Sequence, residues 1–386
     1  MPSPLSFSAL LERVHTIGRE ALAPYAVEVD RDARFPSEAL QALKEEKLLS
    51  CYVPVELGGM GLSFVELARV CEVLGGYCGS SAMIFAMHQI QVGCIVHHAL
   101  GSPLFQGLVS ELVERQLLLA SATTEVGIGG DVRTSTCAVA VDGGGFTLVK
   151  KAPVISYAES ADAILVTARR DADAGPHDQV HVYAPIDQCH LEPMCGWDTL
   201  GFRGTCSSGF TLTASCEVDH ILPVPYAEIH AKTMHPFSHI VWSALWTGLA
   251  GSAVSHARAT VRAQARKTPG TMPPAALRLA EVDAVLSALR GSVFHAAAEY
   301  QQRLDEFPDQ PFPADVAFSS DVSNLKVSAS QGIVDIVSKS LMICGINGYR
   351  NDHKHSLGRH LRDSFGAALM VNNDRILIQS STMQLM

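Results

Sequence analysis

The sequence has little charge, and less of the basic kind. Of its 386 residues 18% are charged, Lys and Arg number 29 against 39 Asp and Glu, and the formal net charge is −10. The basic residues are scattered, whereas a phosphate backbone requires them clustered, so nucleic acid is excluded as the main partner. Long hydrophobic runs are also missing, which predicts no bilayer-spanning helix and no membrane partner. Met1-Pro2-Ser3-Pro4 lacks the basic start and apolar stretch of a secretory signal. Ten cysteines occur, none in a Cys-x-x-Cys pair. In a chain this long, isolated thiols fit a reducing compartment better than a disulfide framework, so the expected location is the cytoplasm. Internal repeats and low-complexity tracts are absent.

What the chain does have is apolar surface, 47% of residues, and a length that suggests two or three domains. Residues Leu5 to about Tyr25 read as one amphipathic helix. Ser37 is placed as the N-cap of the next, and Ser63 with Glu66 forms a capping box for a third. Helical pattern continues from Ser81 to Leu100 and on to about Leu119. From there β signals take over. A hairpin is predicted at Thr136–Val141, Asp142-Gly143-Gly144-Gly145 and Phe146–Val149, with further strands at Ala163–Ala168, Gln179–Ala184 and Gly209–Thr213. Helix then returns at 237–266, 274–304, 314–343 and 357–384, with breaks at Lys267–Pro274, Asp305–Pro313 and Gly345–Asp352. The expected fold is α+β and mainly α. It comprises an N-terminal helical domain (1–118), a small antiparallel β barrel or sandwich (119–225) and a C-terminal four-helix bundle (226–386).

This layout resembles the acyl-CoA dehydrogenase superfamily. So do Phe35-Pro36, Pro54 through Gly61, Thr124-Glu125 with Gly129 and Asp131, Gly201-Phe202-Arg203-Gly204, Arg266 with Gly270, and Gly345-Ile346-Asn347-Gly348-Tyr349 followed by Arg362-Asp363. The resemblance covers nearly the whole chain. It implies an FAD-dependent oxidoreductase acting on an acyl thioester, either acyl-CoA or an acyl carrier protein adduct. It also implies a homodimer or homotetramer with cofactor sites shared between subunits. Thr123 and Thr124 would meet the flavin ring edge, Gly129 and Gly130 its pyrophosphate, and Ile155 and Ser156 the wall near its reactive nitrogen. Arg266, Met342, Gly345, Asn373 and Arg375 complete the implied cofactor set, with Arg266 reaching the diphosphate of a neighbouring subunit. On residues alone, Thr123 to Gly130 is an ordinary glycine turn before a hairpin, and Arg266 a solvated arginine at a helix end.

The sequence departs from the family where the chemistry should be. Its α-proton base is a glutamate at one of two positions, which here hold Val371 and Ile240. Gly130, Val126, Val154 and Met342 stand where serine, proline, tryptophan and glutamine are usual, and Ala276-Leu277 replaces a His-Gln pair. The substitute bases on offer are Asp374, three residues past Val371, and His239, beside Ile240. Asp374 reads equally as a helix cap, and His239 as a packed core residue. His235 and His239 have a metal-like spacing but no third ligand, so no metal is expected. Three functions remain open. They are thioester oxidation with a non-standard base, oxygenation by reduced flavin, and a non-catalytic subunit with a decayed flavin site.

Overall fold

A computed structural model of the chain describes residues 6–307 and 315–383. Helices come first: α1 (Phe7–Ile17), α2 (Ala26–Asp32), α3 (Ser37–Glu45), α4 (Phe64–Gly75), α5 (Gly79–His98) and α6 (Pro103–Arg115). The first expected helix is α1 continued by a π-turn at Gly18–Leu22, α2 beyond it was not anticipated, and the expected start at Leu5 lies outside the described residues. Ser37 is the first helical residue after Pro36 and makes no capping bond, whereas Ser63 and Glu66 form the reciprocal box.

Seven strands follow. β1 (Leu119–Ala122), β4 (Ala163–Arg169) and β5 (Gln179–Pro185) make one sheet, and β2 (Ala140–Asp142), β3 (Gly145–Ala152), β6 (Cys189–Cys195) and β7 (Gly209–Glu217) the other, in the order β2-β3-β7-β6. The hairpin closes through Gly143-Gly144, with Gly143 at φ +63°. Pairing among these strands is antiparallel, as expected of the small β domain, save that β1 runs parallel to β4. The chain crosses into the second sheet between these two strands, so it returns in its original direction. β6 went unrecognised in the sequence. It is exposed and interrupted by Pro193, which a sheet tolerates only at an edge or bulge.

The remainder is helical: α7 (Tyr226–Ile229), a π-turn (His230–Met234), α8 (His235–Lys267), α9 (Ala276–Glu306), α10 (Val316–Cys344), α11 (Ile346–Tyr349), α12 (Gly358–Leu369) and α13 (Asn373–Met383). Of the expected break at Asp305–Pro313, residues 308–313 lie outside the described residues, as do residue 314, the expected start of the third bundle helix, and residue 384, the expected end of the last. That last helix is divided at 370–372, where Val371 takes φ +46°. α8 and α10 run side by side in the same direction, as His235 meets Ser323 and Thr260 meets Cys344. α12 comes back, with His360 on Ser252. The bundle therefore has a near end, at the start of α8, and a far end, beyond Thr260. α4 and α8 cross at near backbone contact: a Cβ on Gly248 would lie 1.8 Å from Glu72 O.

Two helices, α5 and α10, are long and apolar enough to cross a membrane, which the sequence reading did not anticipate. The apolar window of α5 is 89% buried within the protein and that of α10 50%. α5 is apolar on all sides because it is surrounded by other elements.

Two of the motifs that carried the resemblance, Gly201–Gly204 and Arg362-Asp363, meet at a three-domain joint. Phe202 N–H donates to Asp363 Oδ1 at 2.7 Å, and Arg362 pairs with Asp30 of α2 while donating to Leu200 O. Arg203 Nε donates to Asp30 O at 2.9 Å. Gly201 is required there, since a Cβ would sit 2.3 Å from Arg362 O. Burial raises the Asp363 carboxyl to about 6, against the pull of Arg359 at 3.7 Å.

Candidate flavin site

The wall of the site is built where β1 ends and β3 leads into the following turn. Thr124 Oγ1 donates to Val154 O at 2.9 Å, tying the two segments together. Ser156 begins a hydroxyl chain with Ser207 at 2.8 Å and Thr205 at 2.7 Å, and Thr205 Oγ1 donates to Phe202 O. A carbonyl can only accept, so every proton in the chain points toward Phe202. Ser156 and Thr124 have thus both spent their protons on the protein and present lone pairs. Thr123, half-buried, has no protein partner for its hydroxyl among the described residues. Ile155 differs from its assignment. Its side chain is fully buried in the core and its N–H bonds Ser208 O, so it supports the wall from behind.

Next to the wall lies the glycine turn. Gly127, Gly129 and Gly130 have φ of +95°, +59° and +83°, and a Cβ on Gly127 or Gly129 would meet nothing within 4 Å. The amides of residues 127–130 bond no acceptor among the described residues. Free amides on a left-handed turn form an anion-binding nest. Glu125 does not face the nest. Its carboxylate accepts from Ser135, Thr136, Cys137 N–H and the fully buried Lys150, and so fixes the loop behind it.

The bundle supplies the opposite side. Arg375 donates to Gly129 O and lies 3.8 Å from Asp131, which places α13 over the turn. Gly130 makes room for it, because a Cβ there would lie 3.0 Å from Arg375 Nη1. Asn373 is corrected from its cofactor assignment. It turns into the bundle, accepting from Lys326 Nζ at 2.7 Å and donating to Ser330 at 3.0 Å. Asp374 is exposed and its N–H is capped by Asn372, so it lacks the water-poor setting a base requires.

His239 is different. The π-turn brings His230, five residues ahead, over His235 with stacked rings 5.8 Å apart, and α-helical spacing then puts His239 4.5 Å from His235. His239 is 3% exposed, and its Nδ1 lies 2.9 Å from His235 O. That carbonyl must accept, so Nδ1 carries the proton and Nε2 a bare lone pair. Nε2 is buried without a partner among the described residues. Burial first, then His235 and Lys326, hold the ring well below the usual imidazole range, hence neutral. Trp242, one turn on, is 6.0 Å away.

Arg266, Met342 and Gly345 are elsewhere. All three lie at the far end, Arg266 exposed in the last turn of α8 and Met342 71% exposed. From His239 to Arg266 is roughly 40 Å along one helix. Within one chain they cannot join the set around the glycine turn.

The wall, the nest and Arg375 together fit a flavin, with lone pairs for a ring edge and free amides for a phosphate. Residues 7–103 match the acyl-CoA dehydrogenase N-terminal domain and residues 236–370 the acyl-CoA dehydrogenase C-terminal domain, together well over half the chain. The chain belongs to the acyl-CoA dehydrogenase superfamily. It is an acyl-CoA dehydrogenase-like flavoprotein oxidoreductase with a flavin cofactor. It is 31% identical to cyclohex-1-ene-1-carbonyl-CoA dehydrogenase of Syntrophus aciditrophicus over 169 residues, 43% of this chain but only 40% of that protein. Similarity to the amino sugar nitrososynthase DnmZ of Streptomyces peucetius is longer, 25% identity over 86% of this chain and 82% of the other. The fold superimposes on FMN-bound TdsC from Paenibacillus sp. A11-2 with TM-score 0.84 at 19% identity, over 97% of this chain and 96% of that one.

Lys326 had no part in the sequence reading. The available signal was its place on the buried stripe of α10, in step with Phe318, Val322, Ser330, Ile333 and Val337.

Proposed function

We propose that this flavoprotein oxidises an acyl thioester, carried on CoA or on an acyl carrier protein, with His239 as the base. The observation that carries the reading is the buried, unpartnered lone pair on His239 Nε2, one residue from the second of the family's base positions. The flavin, when bound, supplies the acceptor for the two electrons and the β-hydrogen. His239 Nε2 takes the α-proton, and the His235 carbonyl keeps the ring oriented through Nδ1–H. Lys326 disfavours the imidazolium so formed. A base this weak suits a thioester whose α-proton is already acidified by neighbouring unsaturation or an aryl group.

A second reading is oxygenation by flavin reduced elsewhere, which needs no α-proton base. The low basicity of His239 and the similarity to a nitrososynthase over most of its length favour it. We take the protein to act in the cytoplasm, a reading supported by its ten cysteines without a Cys-x-x-Cys pair. Both functional readings also take it as a homo-oligomer, a reading supported by the exposed Met342, Ile346 and Tyr349 at the far end of the bundle.

The test is anaerobic mixing of the flavin-loaded protein with a panel of acyl-CoAs and acyl carrier protein thioesters. Bleaching of the flavin without oxygen is expected. If no thioester bleaches it and turnover appears only with a reductase and oxygen, the second reading replaces the first.

A further inference from the structure

We propose that Lys326 is a positioning residue for the flavin site, holding the left-handed turn at Val371 that delivers Arg375 to the glycine turn. The proposal is independent of which reaction the site performs. Lys326 is fully buried in the middle of α10, where a lysine is rarely found without an acid to pair with. No carboxylate bonds it among the described residues. Its Nζ instead donates to two neutral acceptors, Val371 O and Asn373 Oδ1, each at 2.7 Å.

Val371 lies in the three-residue link between α12 and α13, at 370–372, and Asn373 is the first residue of α13. That link needs holding. Val371 is β-branched and sits at φ +46°, a region such residues avoid. The ammonium ties the carbonyl of Val371 to the first residue of α13 with charge-assisted bonds. The first turn of that helix carries Arg375. Arg375 then bonds Gly129 O and faces Asp131, closing the path from a buried cation to the anion nest. Burial brings Lys326 down to about 8, which leaves it charged at neutral pH. The titratable group coupled to it across the packed helices is His239 of α8, which is neutral there.

The full-length apoprotein tests this in four forms: wild type, Lys326→Met, Asn373→Ala and the double variant Lys326→Met/Val371→Gly. Hydrogen exchange of residues 370–376 and titration with FAD are the two readouts. In both single variants exchange in that segment should rise at least tenfold while α8 and the rest of α10 keep their protection, and FAD should bind about tenfold more weakly. Glycine adopts positive φ without strain, so the double variant should recover FAD affinity to within about threefold of wild type. A residue that merely fills the bundle would not be rescued by a change of backbone freedom at 371. Unchanged exchange in 370–376, a rise spread evenly over the bundle, or no recovery in the double variant would each overturn the assignment. Should Lys326→Met fail to fold, Asn373→Ala reads the same bond from the other partner.

Discussion

The three-domain joint and the flavin site both bury ionisable groups, and they partner them differently: at the joint each faces an opposite charge. At the joint Arg362 has Asp30, Arg203 has a carbonyl and Asp198, and Asp363 accepts from the Phe202 amide on Oδ1 while its buried Oδ2 has Arg359 at 3.7 Å, an ion-pair distance without a hydrogen bond. At the site Lys326 has only neutral acceptors, His239 Nε2 has none, and the amides of 127–130 face outward. Paired charges record what the fold needs. Unpaired ones cost stability when buried, so their presence marks where a ligand or a reaction is to be met.

The largest effect that would break this contrast is at His239. Replacing it with Ala should lower the flavin-reduction rate by about 10²–10⁴-fold while leaving the melting temperature within a few degrees, the signature of a group used in chemistry. Comparable loss of stability without loss of rate would place His239 with the joint.

Next comes Asp363, whose charge belongs to the joint. Its folded-state pKa is raised, so the folded protein holds that proton more tightly than the unfolded chain. The stabilising contribution is complete below the unfolded value of about 4 and is lost as pH rises through about 6. The loss is on the order of 3 kcal/mol. Denaturant titrations should show it between pH 4 and 6, and Asp363→Asn should flatten the curve in that window.

The smallest effect is at Gly130. Gly130→Ser restores the family's usual hydroxyl but crowds Arg375 and strains a residue at φ +83°. FAD affinity should fall by about fivefold, or about 1 kcal/mol. Tighter binding would show that Arg375 is not seated on the turn.

Much of the architecture behind this contrast was legible in the sequence, though the contrast itself was not. The helical, β and helical succession followed from periodicity, and the Ser63–Glu66 box and the two-glycine hairpin followed from local chemistry. The parts that escaped share a cause. β6 carries Pro193 and an exposed face, the break before α13 has neither Gly nor Pro, and the π-turn at 230–234 has no sequence signature. Each is imposed by tertiary contacts rather than by propensity. Lys326 is the instructive miss. One lysine on an apolar stripe looks like noise to a periodicity count, yet an ammonium in that place has to bond something. The glycine turn was read correctly as a turn, but its partner Arg375 is nearly 250 residues away and no local rule could have supplied it.

Phe202 links the two regions. Its amide belongs to Asp363 at the joint, and its carbonyl anchors the hydroxyl chain that ends at Ser156 on the flavin wall. The direction in which that wall presents its lone pairs is therefore inherited from the way the domains are assembled. Colour and architecture are wired to the backbone of one residue. A substitution that loosens the joint would announce itself as a shift in the flavin's absorption band while the chain was still folded.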